Sequence, residues 1–542
     1  MTRGTSRRVW AAAAVLAAAA LTLGCAPGAP QRSIPAQPPA PVPQIAQDAV
    51  VRTAEGQVQG VTVDDHVVFQ DIPYAQPPVG ELRWQPPRPP QPWDGVREAA
   101  QPGPVCPQTY SYPPGSPSTF TGTEDCLSLN VHVPRDADTP LPVMVFLHGG
   151  GFTGGGGASY DPRQVSGRGV IVVTLNYRLG ALGFLAHPAL PQEWAGNFGI
   201  ADQQMALQWV RRNITAFGGD ARNVTLWGES AGAYSVCAQL ASPSAKGLFD
   251  KAITQSAPCA NEFLTRTDAE HRARQAAADL GCTGVAPAAV ARCLRAVPAE
   301  QLAALYADRA DANHRYLNGL PWLPVAGTPT MPRQPLEAIR TGTGNHVPMI
   351  TGTNRDEMRS LILARLGDGL GLVTPEQYPQ LIGQFYGADA DAVLAEYPLA
   401  NHDSPSTALA AVLTDEGRML GSCRQLVFNE AMSARASVYA YEFAEPTGEV
   451  TDGFPSGALH GAEVPYFFDS YRREPTPKPE EKARLAETMI GHWTAFARTG
   501  DPGGGWGPFQ PGQARSFAVA GVGTVNIAAT HRCAFWSQLR TQ

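Results

Sequence analysis

Absences narrow this chain of 542 residues before any motif does. It has no C-x-x-C pair and no Cys/His cluster, which removes the usual zinc and dithiol layouts, and no metal is expected. Charged residues make up only 16%, and the formal net charge of −7 comes with no basic patch, so no nucleic-acid partner is expected. No internal repeat or long polar linker divides the chain after residue 50, so its length does not impose several domains. One large α/β domain with insertions over residues 49–542 fits as well. The N-terminal apolar run, Val9 to Leu23, is too short for a comfortable membrane span.

What is present starts with that run. Arg3, Arg7 and Arg8 precede it, which is a signal-peptide layout over residues 1–24. The run ends in Leu21-Thr22-Leu23-Gly24-Cys25, similar to a bacterial lipoprotein cleavage site. Lipid attachment at Cys25 would anchor the mature chain to the outer face of a bacterial membrane; plain secretion is the simpler alternative. Residues 25–48 hold Pro27, Pro30, Pro35, Pro38, Pro39, Pro41 and Pro43 and read as an extended tether. Export places the remaining cysteines in an oxidising compartment. Of nine cysteines, setting Cys25 aside leaves an even number, which points to disulfides.

The hydrophobic fraction of 43% supports a sizeable core. Near-continuous apolar runs at 141–147, 169–175, 223–227, 251–255, 347–351 and 438–443 read as strands buried on both faces. Between the second and third, Gly199 to Phe217 carries apolar residues at mostly helical spacing. Strand–helix–strand alternation implies parallel crossovers in a doubly wound sheet, with binding sites beyond the carboxyl ends of the strands.

Three segments follow such ends. Residues 227–235 read WGESAGAYS, with glycines on both sides of Ser230 between a strand and a helical composition. Small neighbours permit a tight turn that lifts the hydroxyl clear of the sheet, near the positive end of the next helix. One such pattern alone is common in long chains. It gains weight from His148-Gly149-Gly150-Gly151-Phe152, which comes straight off the run 141–147. Uncovered glycine N–H groups there, with that of Ala231, can converge on a developing oxyanion, where one donor is worth roughly 3 kcal/mol. Gly154 to Gly157 read as conformational.

Acyl transfer by Ser230 also needs a base and an acid to orient it. Among 11 histidines, His460 lies late in the chain, after the run 438–443, with small neighbours Gly457, Ala458, Gly461 and Ala462. His148 reads as support for the glycine loop and His492 as structural within a helix; His132, His187, His402 and His531 lack a matching context. Asp356 and Glu357, after the run 347–351, both qualify as the acid, and spacing does not choose between them. The Asn213-Ile-Thr215 and Asn223-Val-Thr225 sequons fall in core elements, so glycosylation is not expected. Arg178 and Asp202 read as a structural ion pair, and Asp220 as a turn brace.

Nine stretches in order resemble the type-B carboxylesterases, the cholinesterase-like group of α/β-hydrolases: EDCLSLNV (124–131), HGGGF (148–152), NYRLG (176–180), GNFGIADQ (196–203), FGGD (217–220), GESAG (228–232), GTNRDE (352–357), LHGAEVPYFF (459–468) and CAFW (533–536). The resemblance implies an α/β-hydrolase fold: a large, mostly parallel central sheet flanked by helices, with insertions forming an active-site gorge. It implies a Ser230–Glu357–His460 triad, which favours Glu357 over Asp356. It also implies an oxyanion hole of Gly150, Gly151 and Ala231, Glu229 beside an active-site water, and no cofactor. Disulfides Cys106–Cys126, Cys282–Cys293 and Cys423–Cys533 map across. The last closes about 110 residues and by chain entropy is worth up to roughly 4.7 kcal/mol. Cys237 and Cys259 are then expected to pair with each other.

Two departures matter. Met358 stands where the family usually has glycine, which reshapes the loop after the acid. The Cys106–Cys126 loop carries Tyr110, Tyr112 and Phe120 but no tryptophan, whereas cholinesterases hold a quaternary ammonium on a tryptophan there. The expected substrate is therefore a small or medium apolar carboxylic ester, with Leu317 to Leu323, around Trp322, where the family builds its acyl pocket. A non-catalytic adhesion relative and a hydrolase of amides or carbamates are the rival readings.

Overall fold

The computed structural model describes residues 49–110, 118–135, 140–306, 317–469 and 478–539. The leader and tether of residues 1–48, with Cys25, and Tyr112 lie outside them. Among the described residues no helix is long and apolar enough to cross a membrane.

The apolar runs form the strands of a central sheet: β1 (Val61–Val63), β2 (His66–Pro73), β3 (Ser128–Pro134), β4 (Leu141–Leu147), β5 (Ile171–Leu175), β6 (Gly219–Glu229), β7 (Lys251–Gln255), β8 (Met349–Asn354), β9 (Val438–Phe443), β10 (Gln513–Ala518) and β11 (Gly521–Asn526). Their spatial order is β11-β10-β9-β8-β7-β6-β4-β5-β3-β2-β1. From β5 to β10 neighbours run parallel. The two edges, β1–β2–β3 and β11, are antiparallel.

Burial on both faces explains the unbroken apolar composition of the inner strands. Along β4, Val143, Val145 and Leu147 face one core, shared with Ile171, Val173 and Leu175. Met144 and Phe146 face the other, shared with Trp227 and Trp493. Helices cover both sides: α1 (Phe198–Asn213), α2 (Ala231–Ala241), α3 (Pro405–Glu416), α4 (Ser422–Ser433), α5 (Glu480–Thr499) and α6 (Cys533–Leu539). Every residue of α2 is buried, so its alanine-rich composition reflects close packing against the sheet. Insertions at 256–348 and 355–437, between β7 and β8 and between β8 and β9, carry most remaining helices. Disulfides join Cys106–Cys126, Cys237–Cys259, Cys282–Cys293 and Cys423–Cys533.

Near the C-terminus lies a buried ion cluster that no sequence pattern foretells. His531, 2% exposed, sets Nδ1 at 2.6 Å from Asp415 Oδ1 and Nε2 at 2.8 Å from Glu442 Oε1. With a carboxylate at each ring nitrogen, both nitrogens donate and the ring is the imidazolium. Burial alone would lower its pKa, but the two carboxylates outweigh it and raise the value to about 9. The folded pKa therefore lies above the unfolded one. The resulting stabilisation is complete below about pH 6.5 and is lost as pH rises through about 9. We expect His531→Gln to melt below wild type at pH 6, with the gap narrowing towards pH 9.5; thermal melts across that range check it.

Candidate active site

The turn at Ser230 is where β6 hands over to α2. Ser230 has φ 56° and ψ −125°, so the left-handed strain falls on the serine itself and not on the flanking glycines. Those glycines answer a different demand. A Cβ on Gly232 would lie 1.9 Å from Leu147 O, and one on Gly228 would lie 2.4 Å from the Gly232 backbone. Strand, helix and neighbouring strand meet too closely there for any side chain. The Ser230 N–H donates to Gln255 O at 2.9 Å, and its carbonyl accepts from Tyr234 N at 2.9 Å, which over-determines the strained residue.

The glycine loop leaves β4 directly opposite. Gly150 has φ 109°, which excludes other residues, and Gly149 lies so near the serine turn that its Cβ would meet Glu229 Oε2 at 2.6 Å. Among the described residues the N–H groups of Gly150, Gly151 and Ala231 donate no hydrogen bond. His148 supports the loop as expected. Its Nδ1 donates to Gly149 O at 2.8 Å, its ring stacks on Tyr177 at 4.4 Å, and Tyr177 Oη donates to His148 O at 2.8 Å. Burial lowers the His148 pKa to about 4, against the bond to Gly149, and keeps the ring neutral.

Ser230, His460 and Glu357 come together from three segments far apart in the chain. His460 Nε2 lies 2.9 Å from Ser230 Oγ, and His460 Nδ1 lies 2.8 Å from Glu357 Oε2. Glu357 is fully buried, and its Oε1 accepts from Asn354 N at 2.8 Å. Asp356, the other carboxylate that spacing allowed, turns the opposite way and accepts from Ala458 N at 2.9 Å. Met358 is buried, and its N–H donates to Thr414 Oγ1 at 3.0 Å.

Two more carboxylates surround the imidazole. Glu229 Oε1 lies 3.5 Å from His460 Nε2. Glu463, buried, accepts from Asn354 Nδ2 at 2.5 Å and from Gln255 Nε2 at 3.1 Å. Sequence reasoning passed over Glu463 and Gln255: a single polar residue inside an apolar stretch carries no periodic signal. Burial raises the Glu463 carboxyl to about 7, helped by Glu229 and Glu357 nearby. For His460, burial works to lower the pKa, but Glu229 and Glu357, with Glu463 behind them, outweigh it and raise the value to about 9.

A serine–imidazole–carboxylate line ending on a buried acid is an arrangement suited to acyl transfer. The sequence profile of the carboxylesterase family matches residues 47–536. The chain belongs to the carboxylesterase family. It is 34% identical over 465 residues to the Crystal protein of Dictyostelium discoideum, covering 84% of this chain and 82% of that protein. It is also 34% identical over 478 residues to the para-nitrobenzyl esterase of Bacillus subtilis, covering 84% of this chain and 90% of that one. Among solved structures, a thermophilic PNB esterase superposes with TM-score 0.75 at 32% identity, covering 90% of this chain and 99% of the other.

Other residues singled out in this carboxylesterase-family chain hold the frame. Arg178 pairs with Asp202 at 2.7 Å in the interior, and Asp220 Oδ1 accepts from Arg222 N at 2.9 Å. Asn213 is buried and donates to Glu55 Oε2 at 3.0 Å, which leaves no room for a glycan. His492 is buried in α5 with Nδ1 donating to Pro502 O at 2.8 Å. Trp322 is buried, stacks on Tyr306 at 5.9 Å and donates to Leu305 O at 3.0 Å.

Proposed function

We propose that this chain is a serine carboxylic ester hydrolase that works through an acyl-enzyme on small or medium apolar esters. The observation that carries this reading is the 2.9 Å and 2.8 Å line from Ser230 Oγ through His460 to Glu357. His460 takes the proton of Ser230 Oγ as the oxygen attacks the ester carbonyl. The N–H groups of Gly150, Gly151 and Ala231 hold the oxyanion. The alcohol leaves with the proton from His460, and water activated by the same ring then frees the acid. Glu357 fixes the tautomer and faces the imidazolium that forms. Every step is made by side chains and backbone, so the reading calls for no cofactor.

The apolar ester class is supported by the kinship with a para-nitrobenzyl esterase and by the missing tryptophan between Cys106 and Cys126. Four disulfides suit an oxidising compartment, in keeping with export and with anchoring through a lipid on Cys25. The test is p-nitrophenyl acetate. A stoichiometric burst of p-nitrophenol followed by slower turnover is the expected result, and a purified, folded chain with neither would overturn the reading.

The acid limb of the pH profile follows from the carboxylates around His460. A protonated ring cannot accept the serine proton, so kcat/KM rises as pH rises through the His460 pKa. That pKa is held above the ordinary 6.5, at about 9. Glu229→Gln removes one charge that holds it up, so the limb is expected to move to lower pH. A pH–kcat/KM profile of the two proteins checks it, and an unmoved limb would sink the claim.

A further inference from the structure

We propose that Asp356, the carboxylate beside the triad acid, is a positioning residue that clasps the histidine-bearing segment onto the acid-bearing one. The proposal rests on the triad reading above. His460 does not sit on a strand or helix. Its segment leaves β9 at Phe443, makes a short hairpin at Val450–Thr451 and Phe454–Pro455, and returns through Gly457 and Ala458. Such an excursion has no regular ladder to fix where the imidazole stands.

The fixing comes from the residues around the acid. Asn354 Nδ2 donates to Leu459 O at 2.8 Å, and His460 N donates to Glu357 O at 3.3 Å. Between these two contacts Asp356 engages Ala458 twice. Its N–H donates to Ala458 O at 3.0 Å, and its Oδ2 accepts from Ala458 N at 2.9 Å. One turn along, Arg359 pairs with Asp356 Oδ1 at 3.1 Å and donates through Nη1 to Pro455 O at 2.9 Å. The segments holding acid and base are therefore laced together residue by residue.

Gly457 marks how closely the carboxylate fits. It has φ +59°, and a Cβ there would lie 2.5 Å from Asp356 Oδ2. Only a residue without a side chain lets the carboxylate reach the Ala458 N–H. Asp356 touches neither the serine nor the substrate in the proposed reaction. It acts by holding the His460 backbone at the distance that lets Nε2 meet Ser230. Displacements of about 1 Å in such geometry cost up to roughly 10²-fold in rate.

The role is in the acceptor and not in the charge, since a partly exposed ion pair with Arg359 is worth little. Asp356→Asn keeps a side-chain oxygen for the Ala458 N–H, and Asp356→Ala does not. With p-nitrophenyl acetate we expect Asp356→Ala to lose about ten- to a hundredfold in kcat. Its KM stays within about twofold and its burst amplitude still counts nearly all sites. Asp356→Asn is expected to stay within about threefold of wild type. Gly457→Ala, which drives a methyl into the carboxylate, is expected to share the kcat loss and decides the matter should Asp356→Ala fail to fold. Wild-type kcat in Asp356→Ala or in Gly457→Ala overturns the proposal. So does an Asp356→Asn as impaired as the alanine variant. Absence of a burst in the wild-type protein is a different failure, that of the triad reading.

Discussion

Ser230→Ala will abolish the p-nitrophenol burst and lower kcat by about 10⁶-fold, as removal of a serine nucleophile does when the rest of the triad stays in place. Only Oγ is lost, and Oγ is the atom 2.9 Å from His460 Nε2. The fold is expected to be indifferent. Alanine inherits the same φ of 56°, so it neither relieves nor adds backbone strain, and the bonds from Ser230 N to Gln255 O and from Tyr234 N to Ser230 O are made by the main chain. Melting temperature should match wild type, and a competitive ester analogue should still bind. A Ser230→Ala protein that keeps the burst would place the nucleophile elsewhere and remove the basis of the proposed chemistry.

Glu357→Gln will cost about 10⁴ in kcat while leaving the structure intact. Glu357 Oε1 accepts the Asn354 N–H at 2.8 Å, a bond that a glutamine oxygen can keep. The amide nitrogen then faces His460 Nδ1, where Oε2 stood at 2.8 Å. Two donors cannot share that contact, so the ring takes the tautomer with its proton on Nε2, pointing at Ser230. In that state it cannot receive the serine proton. Single-turnover acylation rates measure the loss, and an imidazole NMR signal reports the tautomer. A rate within about tenfold of wild type would show that Glu357 does not set the tautomer.

The physical reasons for what was legible differ by element. β4, β7 and β9 begin and end where the apolar runs 141–147, 251–255 and 438–443 do, since strands buried on both faces must be apolar throughout. The run at 347–351 misplaced β8, which starts at Met349 and continues through Gly352, Thr353 and Asn354 because those turn-forming residues pair with Tyr441, Glu442 and Phe443. At the antiparallel edges, β1 is only three residues long and β11 half exposed, while β2 is long and mostly buried but broken by Gln70 and Asp71 at a register shift, so none showed such a run. At the site, Ser230 and the glycine loop were readable because close packing forbids side chains at fixed positions. Asp356 and Glu357 were not separable by spacing: neighbours in a turn point in opposite directions, and only backbone dihedrals say which faces the ring. Glu463 and His531 announced themselves by nothing, since a buried polar residue is defined by partners far along the chain.

That separation has a temporal meaning. Ser230 and His460 stand 230 residues apart, and Cys533, which closes onto Cys423, comes later still. At synthesis rates of about 10 residues per second, the hydroxyl exists for roughly 20 s before the proposed base is made. In the proposed mechanism, a growing polypeptide in which Ser230 already juts from its turn has a nucleophile without a base until His460 is made.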